Sequence, residues 1–373
     1  MQDIYIGLIS GTSADGIDAI VLAFEDDKTT ALAANTFEYP DTVREEILHL
    51  SQPAADHAAQ RIDRLGHLDN QIGQLFAAAA TAICQHADID IAQVSGIGSH
   101  GQTLRHRPQG LNRFSLQVGD PNIIALNTGR PVVADFRRMD MAAKGQGAPL
   151  VPLFHQWLMP SDKDNQVILN LGGIANITWL PKNRGAVQGF DTGPASALMD
   201  YWIQHHQEQK FDENGQWAQS GKVHEELLKH MLADPYFKMG APKSTGREYF
   251  DAKWLQQKLK GADPVSAVDV QASLCELTAI TIVEGISRLP GSCDNLLVCG
   301  GGFHNEYLMA RIKHHLPKQT KIGGLSHQGI DSDFIEAATF AWLARQRIKG
   351  ERLDYTSVTG ADRPLLLGGI YQA

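Results

Sequence analysis

Apolar residues recur along the chain in two figures. The first is an apolar run, a small polar loop containing glycine, and a second apolar run. It opens the chain, where IGLIS and IDAIVLAF flank GTSADG, and it returns at 166–180 as QVILNLGGIANITWL. Each copy predicts two strands joined by a tight reversal, over 4–10 and 17–24 in the first case. The second figure is a strand that runs into a helix. It predicts VSGIGS (94–99) as a strand leading into a polar loop, HGQTLRH, and 114–136 as strand, turn, helix, strand. It also covers 187–203 and 295–316. Ile62, Leu65, Ile72, Phe76, Ala79 and Ile83 keep helical spacing after Asp56. Further helices are expected over 270–289, with a strongly amphipathic pattern, and over 331–348. In DPNIIALNTG, Asp120 is placed as an N-cap, Pro121 at the first helical position and Gly129 as the stop.

Strands alternating with helices give an α/β class, and the two hairpins predict mixed sheets. A chain of 373 residues exceeds one ordinary core, so two lobes are expected. Their division is placed near or before the Gly/Pro-rich GQGAPLVP at 145–152, giving residues 1–135, joined by about 350–373, and residues 136–349.

Composition excludes more than it identifies. With 43% hydrophobic and 20% charged residues, long disorder is not expected. Forty-two acids against 33 bases, a formal charge of −9, argue against nucleic acid as partner. No apolar run reaches the length of a membrane span, and the acidic start lacks the basic region of a signal peptide. Cys84, Cys275, Cys293 and Cys299 form no C-x-x-C pair, which fits free thiols in a reducing cytoplasm and speaks against zinc.

The chemistry sits in the loops. In GTSADG, backbone N–H groups and the hydroxyls of Thr12 and Ser13 could converge on an anion, with Gly11 and Gly16 supplying the backbone freedom. Asp15 and Asp18 would suit phosphate only through a divalent cation. The other reading is a plain hairpin turn, and the same pair of readings applies to Gly172 and Gly173. There is no G-x-x-x-x-G-K-[ST] loop. Lys243–Gly246 resembles a K-T-G element but lacks the S-x-x-K that accompanies it. Gly300, Gly301 and Gly302 follow a buried-looking strand. They could receive a flat ring, or serve a close strand–helix crossing; Asn305 stands where a dinucleotide fingerprint needs its third glycine. Asp191, in GFDTGP, is either a helix N-cap or a general base beside the hairpin loops.

The order of these features (two phosphate hairpins, an Asp-bearing loop and a Gly-rich adenosine loop) resembles the superfamily of sugar kinases, heat-shock chaperone ATPases and actin. Within it the chain closely resembles the anhydro-N-acetylmuramic acid kinase family, through ISGTSADGIDA, GSHGQT, QVGDPNIIA, RPVVADFRRMDMAAKGQGAPLVP, NLGGIANIT, FDTGP, STGREYF, VCGGGFHN and GIDSDFIEAATFAWLA. The resemblance implies a two-lobed actin-like ATPase fold, related to ribonuclease H, with a nucleotide cleft between lobes that close. It implies an enzyme that uses ATP and water to open 1,6-anhydro-N-acetylmuramic acid and phosphorylate O6, in cell-wall recycling. Gly11, Thr12, Ser13, Ala14, Asp15, Gly16, Ile17 and Asp18 are then expected to contact ATP, together with Gly172, Gly173, Gly300, Gly301, Gly302 and Asn305. Mg2+ is expected to be held through the nucleotide, with Asp15 as its one candidate protein contact. Asp191 becomes the catalytic base. Glu336 matches a family acid near the sugar, or is a solvent-facing helix residue. Arg130, Arg137 and Arg138 are candidates for the lactyl carboxylate, which suits a guanidinium fork. His100 and Gln102 are candidate sugar contacts. Ala195–Ser196 departs from the Gly-Asn expected after FDTGP, which touches substrate contacts rather than the reaction. A homodimer in the cytoplasm is expected, without nucleic acid or membrane. The alternatives are a conventional sugar kinase acting on a free hydroxyl and a nucleotide-switched sugar sensor.

Overall fold

The computed structural model of the chain describes residues 3–11, 14–26, 28–52, 58–246, 249–260, 264–325 and 329–373. The chain divides into two compact units, Met1–Met159 with Ser326–Ala373, and Pro160–Leu325. Residues 136–159 and the late helix Ile335–Lys349, expected with the second lobe, therefore pack with the first.

In the first unit, β1 (Asp3–Ser10), β2 (Gly16–Glu25) and β3 (Lys28–Glu38) form an antiparallel meander. Then β4 (Val94–Arg107) returns parallel to β1. Its far half pairs with β5 (Phe114–Val118), and its near half with β6 (Val132–Ala134), which in turn pairs with β12 (Gly369–Tyr371). HGQTLRH is thus strand rather than loop, because β5 supplies the pairing that its polar side chains gave no sign of. The predicted helix appears at Pro121–Thr128, with Asp120 capping Asn122 N–H and Gly129 at φ +63°.

The helix Ile335–Lys349 lies so close on β1 and β4 that a Cβ on Gly7 would run into the Ala337 carbonyl, and one on Gly98 into that of Phe340. Glycine here is what lets helix backbone touch sheet backbone. Ile6, Leu8, Val21, Phe76 and Ile97 fill the core between this sheet and the helix Ala58–His86.

The second unit repeats the plan. β7 (Gln166–Leu171), β8 (Ile174–Leu180) and β9 (Gln188–Pro194) form an antiparallel meander. β10 (Asn295–Cys299) then runs parallel to β7, and β11 (Lys321–Gly324) parallel to β10. The order β3-β2-β1-β4-β6 in one sheet matches β9-β8-β7-β10-β11 in the other. The duplicated hairpin in the sequence marks a duplicated α/β layer, each a mixed sheet flanked by helices.

The helix Ala267–Ser287, expected to be amphipathic, is buried on nearly all sides, at Val270, Leu274, Leu277 and Ile282 but also at Gln271, Ser273 and Thr278. It is long and apolar enough to cross a membrane by composition, and here it forms the centre of the second core. Its polar residues are legible once their bonds are known: Gln271 Nε2 donates to Asp212 Oδ2 and Thr278 Oγ1 to the Pro194 carbonyl.

Candidate active site

In the first unit the carboxyl ends of β1 and β6 flank the middle of β4 at Ser99–Gln102, the side on which parallel α/β sheets build their sites. Register places Ser10 beside Gln102, and Ser10 Oγ donates to Gln102 Oε1 at 2.6 Å. Gln102 Nε2 in turn donates to the carbonyls of Gly11 (3.1 Å) and Thr103 (3.2 Å). This side chain is fully buried, so the structure commits Gln102 to fastening the first loop rather than to facing a sugar.

The loop itself turns through Gly11 and Ala14, whose N–H bonds the Gly11 carbonyl and whose φ is +54°. Thr12 and Ser13 lie outside the described residues. Gly16 is required where it stands, since its Cβ would approach the Phe37 carbonyl at 2.6 Å. Ile17 points into the core, which leaves only its backbone for a ligand. Asp15 is exposed and ion-paired with Arg44 at 3.1 Å, a surface pair of little energetic weight. Asp18 lies opposite Ile9 and accepts from Thr36 Oγ1 at 2.6 Å. Burial raises its carboxyl above the usual range, Thr36 opposes the shift, and Asp333 and Asp15 add to it.

His100 stands within β4, and Arg137 in the helix Phe136–Ala142 that follows β6. Arg137 Nε donates to His100 Nε2 at 2.9 Å, and His100 Nδ1 meets the Gly101 carbonyl at 3.0 Å. A carbonyl can only accept, so the imidazole carries its proton on Nδ1 and is neutral. Burial, helped by the Arg137 charge, holds it well below the ordinary histidine value. Its ring packs on Phe340, centroids 4.6 Å apart.

Glu336, in the first turn of the late helix, is solvent-accessible. Burial among its surroundings nevertheless raises its carboxyl; Arg137 pulls it down and Asp18 pushes it up. Glu336 therefore feels the charges of both Arg137 and Asp18 and is not an isolated surface acid. Arg138 is exposed, pairs with Asp135 at 2.6 Å, and lines a cavity of about 180 Å3 with His100, Ser99 and Gln117. Arg130 is not part of this group. It precedes β6, at the opposite end of the strands, where its guanidinium donates to the Ala92 carbonyl at 2.9 Å.

In the second unit the two-residue turn Gly172–Gly173 joins β7 to β8. Its carbonyls accept from the N–H groups of Ala195, Ser196 and Ala197, so the loop is stitched to the start of helix Ser196–Gln207. A cavity of about 560 Å3 opens beside it, lined by the two glycines, Ser196, Phe211, Gly301 and His304 among others. The glycine triplet divides its labour. A Cβ on Gly300 (φ +83°) would sit 2.5 Å from Asn170 Oδ1, and one on Gly302 would sit 2.7 Å from Leu171 Cβ. Both are demanded by the crossing over β7. Gly301 has nothing within 4 Å and faces the cavity. Asn305 lines the cavity and caps helix Glu306–His315 through Leu308 N–H. Sequence reasoning missed the contributions of Phe211, Asn214, Met199 and Leu308, which carry no motif.

Asp191 is not a helix cap. It lies within β9 opposite Asn176, next to a bulge at Thr192 that Gly193 permits. Bulges of this kind re-aim side chains beside active sites. Its Oδ2 accepts from Thr245 N–H at 2.8 Å, its N–H donates to the Lys243 carbonyl at 3.1 Å, and its own carbonyl accepts from Tyr236 Oη at 2.8 Å. The strap 243–245 that does this holding is the K-T-G-like stretch that the sequence left unassigned.

The sequence matches the family described as anhydro-N-acetylmuramic acid kinase over residues 3–373. The chain belongs to that family. It is 46% identical over 369 residues to the anhydro-N-acetylmuramic acid kinase of Shewanella pealeana, covering 99% of this chain and 98% of that one. The like-named protein of Saccharophagus degradans is 46% identical over 374 residues, covering 99% and 98%, and that of Xylella fastidiosa 46% over 373 residues, covering 99% and 96%. The resemblance drawn from the motifs thus extends over the whole chain, including segments such as β3 and β12 that carry none of them.

Proposed function

We propose that this member of the family uses ATP and water to convert 1,6-anhydro-N-acetylmuramic acid to N-acetylmuramic acid 6-phosphate and ADP, in cell-wall recycling. The observation that carries the reading is Asp191: a carboxylate on the strand next to a glycine hairpin, with one oxygen occupied by a backbone N–H and its main chain pinned on both sides. A general base needs such fixation, and it contributes about 10²–10⁴-fold in rate.

Asp191 takes a proton from water as the water oxygen bonds to C1. The C1–O6 bond breaks, and O6 keeps its electron pair. O6 then bonds to the γ-phosphorus as the bond to ADP breaks, and the proton on Asp191 leaves to solvent. In the second unit phosphate contacts are assigned to the loop Gly172–Gly173; in the first unit, taken by itself, they are assigned to the loop Gly11–Asp18. The adenosine is assigned to the 560 Å3 cavity, whose size suits it and whose Gly301 leaves room for a flat ring. Of the three arginines, Arg137 is the one assigned to the lactyl carboxylate, since its charge acts on Glu336 while Arg130 serves the Ala92 carbonyl and Arg138 serves Asp135. Mg2+ neutralises phosphate charge in such reactions. The cation is assigned to the triphosphate oxygens, with Asp15 as its candidate protein contact. Four free cysteines suit a cytoplasmic setting, and a homodimer belongs to the same proposal.

Incubation of the purified protein with ATP and either the anhydro-sugar or plain N-acetylmuramic acid tests the reading. Phosphorylated product from the anhydro-sugar is expected. Product from the plain sugar alone would overturn the hydrolytic role of Asp191 in favour of conventional phosphorylation of a hydroxyl.

A further inference from the structure

Lys243 is a lysine 5% exposed, placed where no substrate contact is assigned. Among the described residues its Nζ donates to one acceptor, the Tyr236 carbonyl at 3.3 Å. For the rest it lies over two rings, 4.4 Å from the Tyr236 centroid and 5.9 Å from that of Phe190. An ammonium has three donors, and burying it with so little satisfaction is costly unless a counter-charge is near.

The groups around it are few. From the end of helix Ala267–Ser287 come Arg288 and Glu284, which pair with each other at 3.3 Å; Arg288 opposes the charge of Lys243 and Glu284 supports it. From helix Pro235–Lys238 comes Tyr236, and beside it Tyr249; burial raises the pKa of both phenols, so they are neutral. Asp234 is taken up by Lys258, Trp254 and Tyr249. From β9 comes Asp191, among the described residues the anion that acts most strongly on Lys243. Backbone geometry fixes the two together. The Lys243 carbonyl accepts from Asp191 N–H, and the ring under the ammonium belongs to the tyrosine whose hydroxyl holds the Asp191 carbonyl.

We infer that Lys243 is a positioning residue whose buried positive charge keeps Asp191 ionised and steady for proton abstraction. The inference rests on the reading of Asp191 as the base. A nearby cation favours the carboxylate and lowers its pKa, so removing it shifts the pKa upward. The reciprocal effect on Lys243 is outweighed by burial and by Arg288, which together bring it down to about 8.

The test is the pH profile of kcat/KM for the anhydro-sugar at saturating ATP, from about pH 5 to about pH 9, in Lys243→Met and Lys243→Arg. In Lys243→Met the acid limb is expected to move up by about one pH unit, with about tenfold lower kcat/KM on that limb and unchanged affinity for a non-hydrolysable ATP analogue. Lys243→Arg, which keeps the charge, is expected to retain the wild-type limb. An acid limb in Lys243→Met that coincides with wild type, or one that moves equally in Lys243→Arg, overturns the inference. If Lys243→Met does not fold, Lys243→Gln, neutral but able to donate to Tyr236, is expected to show the same shift and is judged the same way. Failure of the underlying reading is separately visible: Asp191→Asn would then keep its turnover.

Discussion

Arg137 reaches its guanidinium to His100 through an Nε–H···Nε2 bond of 2.9 Å, and His100 can receive it only because its own proton is spent on the Gly101 carbonyl. A protonated imidazole would repel the arginine. The pair thus fixes Arg137 toward whatever anion it meets, and burial keeps His100 neutral throughout the physiological range. Replacing His100 by Phe keeps the ring on Phe340 and removes the acceptor. Loss of a hydrogen bond to a charged group costs about 1.5–3 kcal/mol, so the KM for the anhydro-sugar is expected to rise roughly tenfold or more. Steady-state kinetics with ATP saturating measures it, and an unchanged KM would place Arg137 outside the sugar site.

Asp191→Asn is nearly isosteric and can still accept from Thr245 N–H through its side-chain oxygen. Its loss is chemical rather than structural. Turnover is expected to fall by about 10²–10⁴-fold, while calorimetric affinity for a non-hydrolysable ATP analogue stays at the wild-type value.

Much of this site was legible because glycine and proline punctuate it. The duplicated hairpins, the Asp120–Pro121–Gly129 helix signals and the triple glycine all appear where their spacing put them. What stayed hidden depends on partners distant in sequence. β3 alternates small and polar residues on an edge, a weak strand signal that its pairing with β2 makes real. HGQTLRH became strand only through β5. The lobe boundary moved because Gly7 and Gly98 admit the helix Ile335–Lys349 onto β1 and β4, a contact no local pattern announces. Arg130 and Arg137 look alike in sequence; the direction of β6 separates them, one at each end of a short strand.

The glycine triplet makes a contrast that a single protein can decide. Gly302→Ala forces a Cβ to 2.7 Å from that of Leu171 and 3.0 Å from its carbonyl oxygen. Overpacking of this kind costs about 1–3 kcal/mol, visible as a lower urea midpoint. Gly301→Ala meets no atom within 4 Å, so its denaturation midpoint is expected to match wild type. Its added methyl projects toward the cavity instead, and the expected loss is in ATP affinity. Equal affinity in Gly301→Ala and wild type would remove the nucleotide from that wall.

Acid should destabilise the first unit through its histidines. His106 Nδ1 bonds Ser115 Oγ at 3.0 Å, and its Nε2 is buried without a partner. Burial, with Arg137 and Arg107 adding positive potential, pushes its pKa down to about 4. The unfolded chain, with an ordinary histidine pKa near 6.5, binds a proton at pH values where the folded protein does not. Stability from this group is therefore intact above about pH 6.5 and falls as the pH drops toward about 4, by at most roughly 3 kcal/mol. His100, also shifted down by burial, adds a fall of the same sign. Urea midpoints measured across that window should decline in wild type. In His106→Phe, which cannot take up the proton, the decline should be shallower, whatever the substitution does to stability at neutral pH. A decline of unchanged steepness in that variant would mean that other groups carry the acid sensitivity.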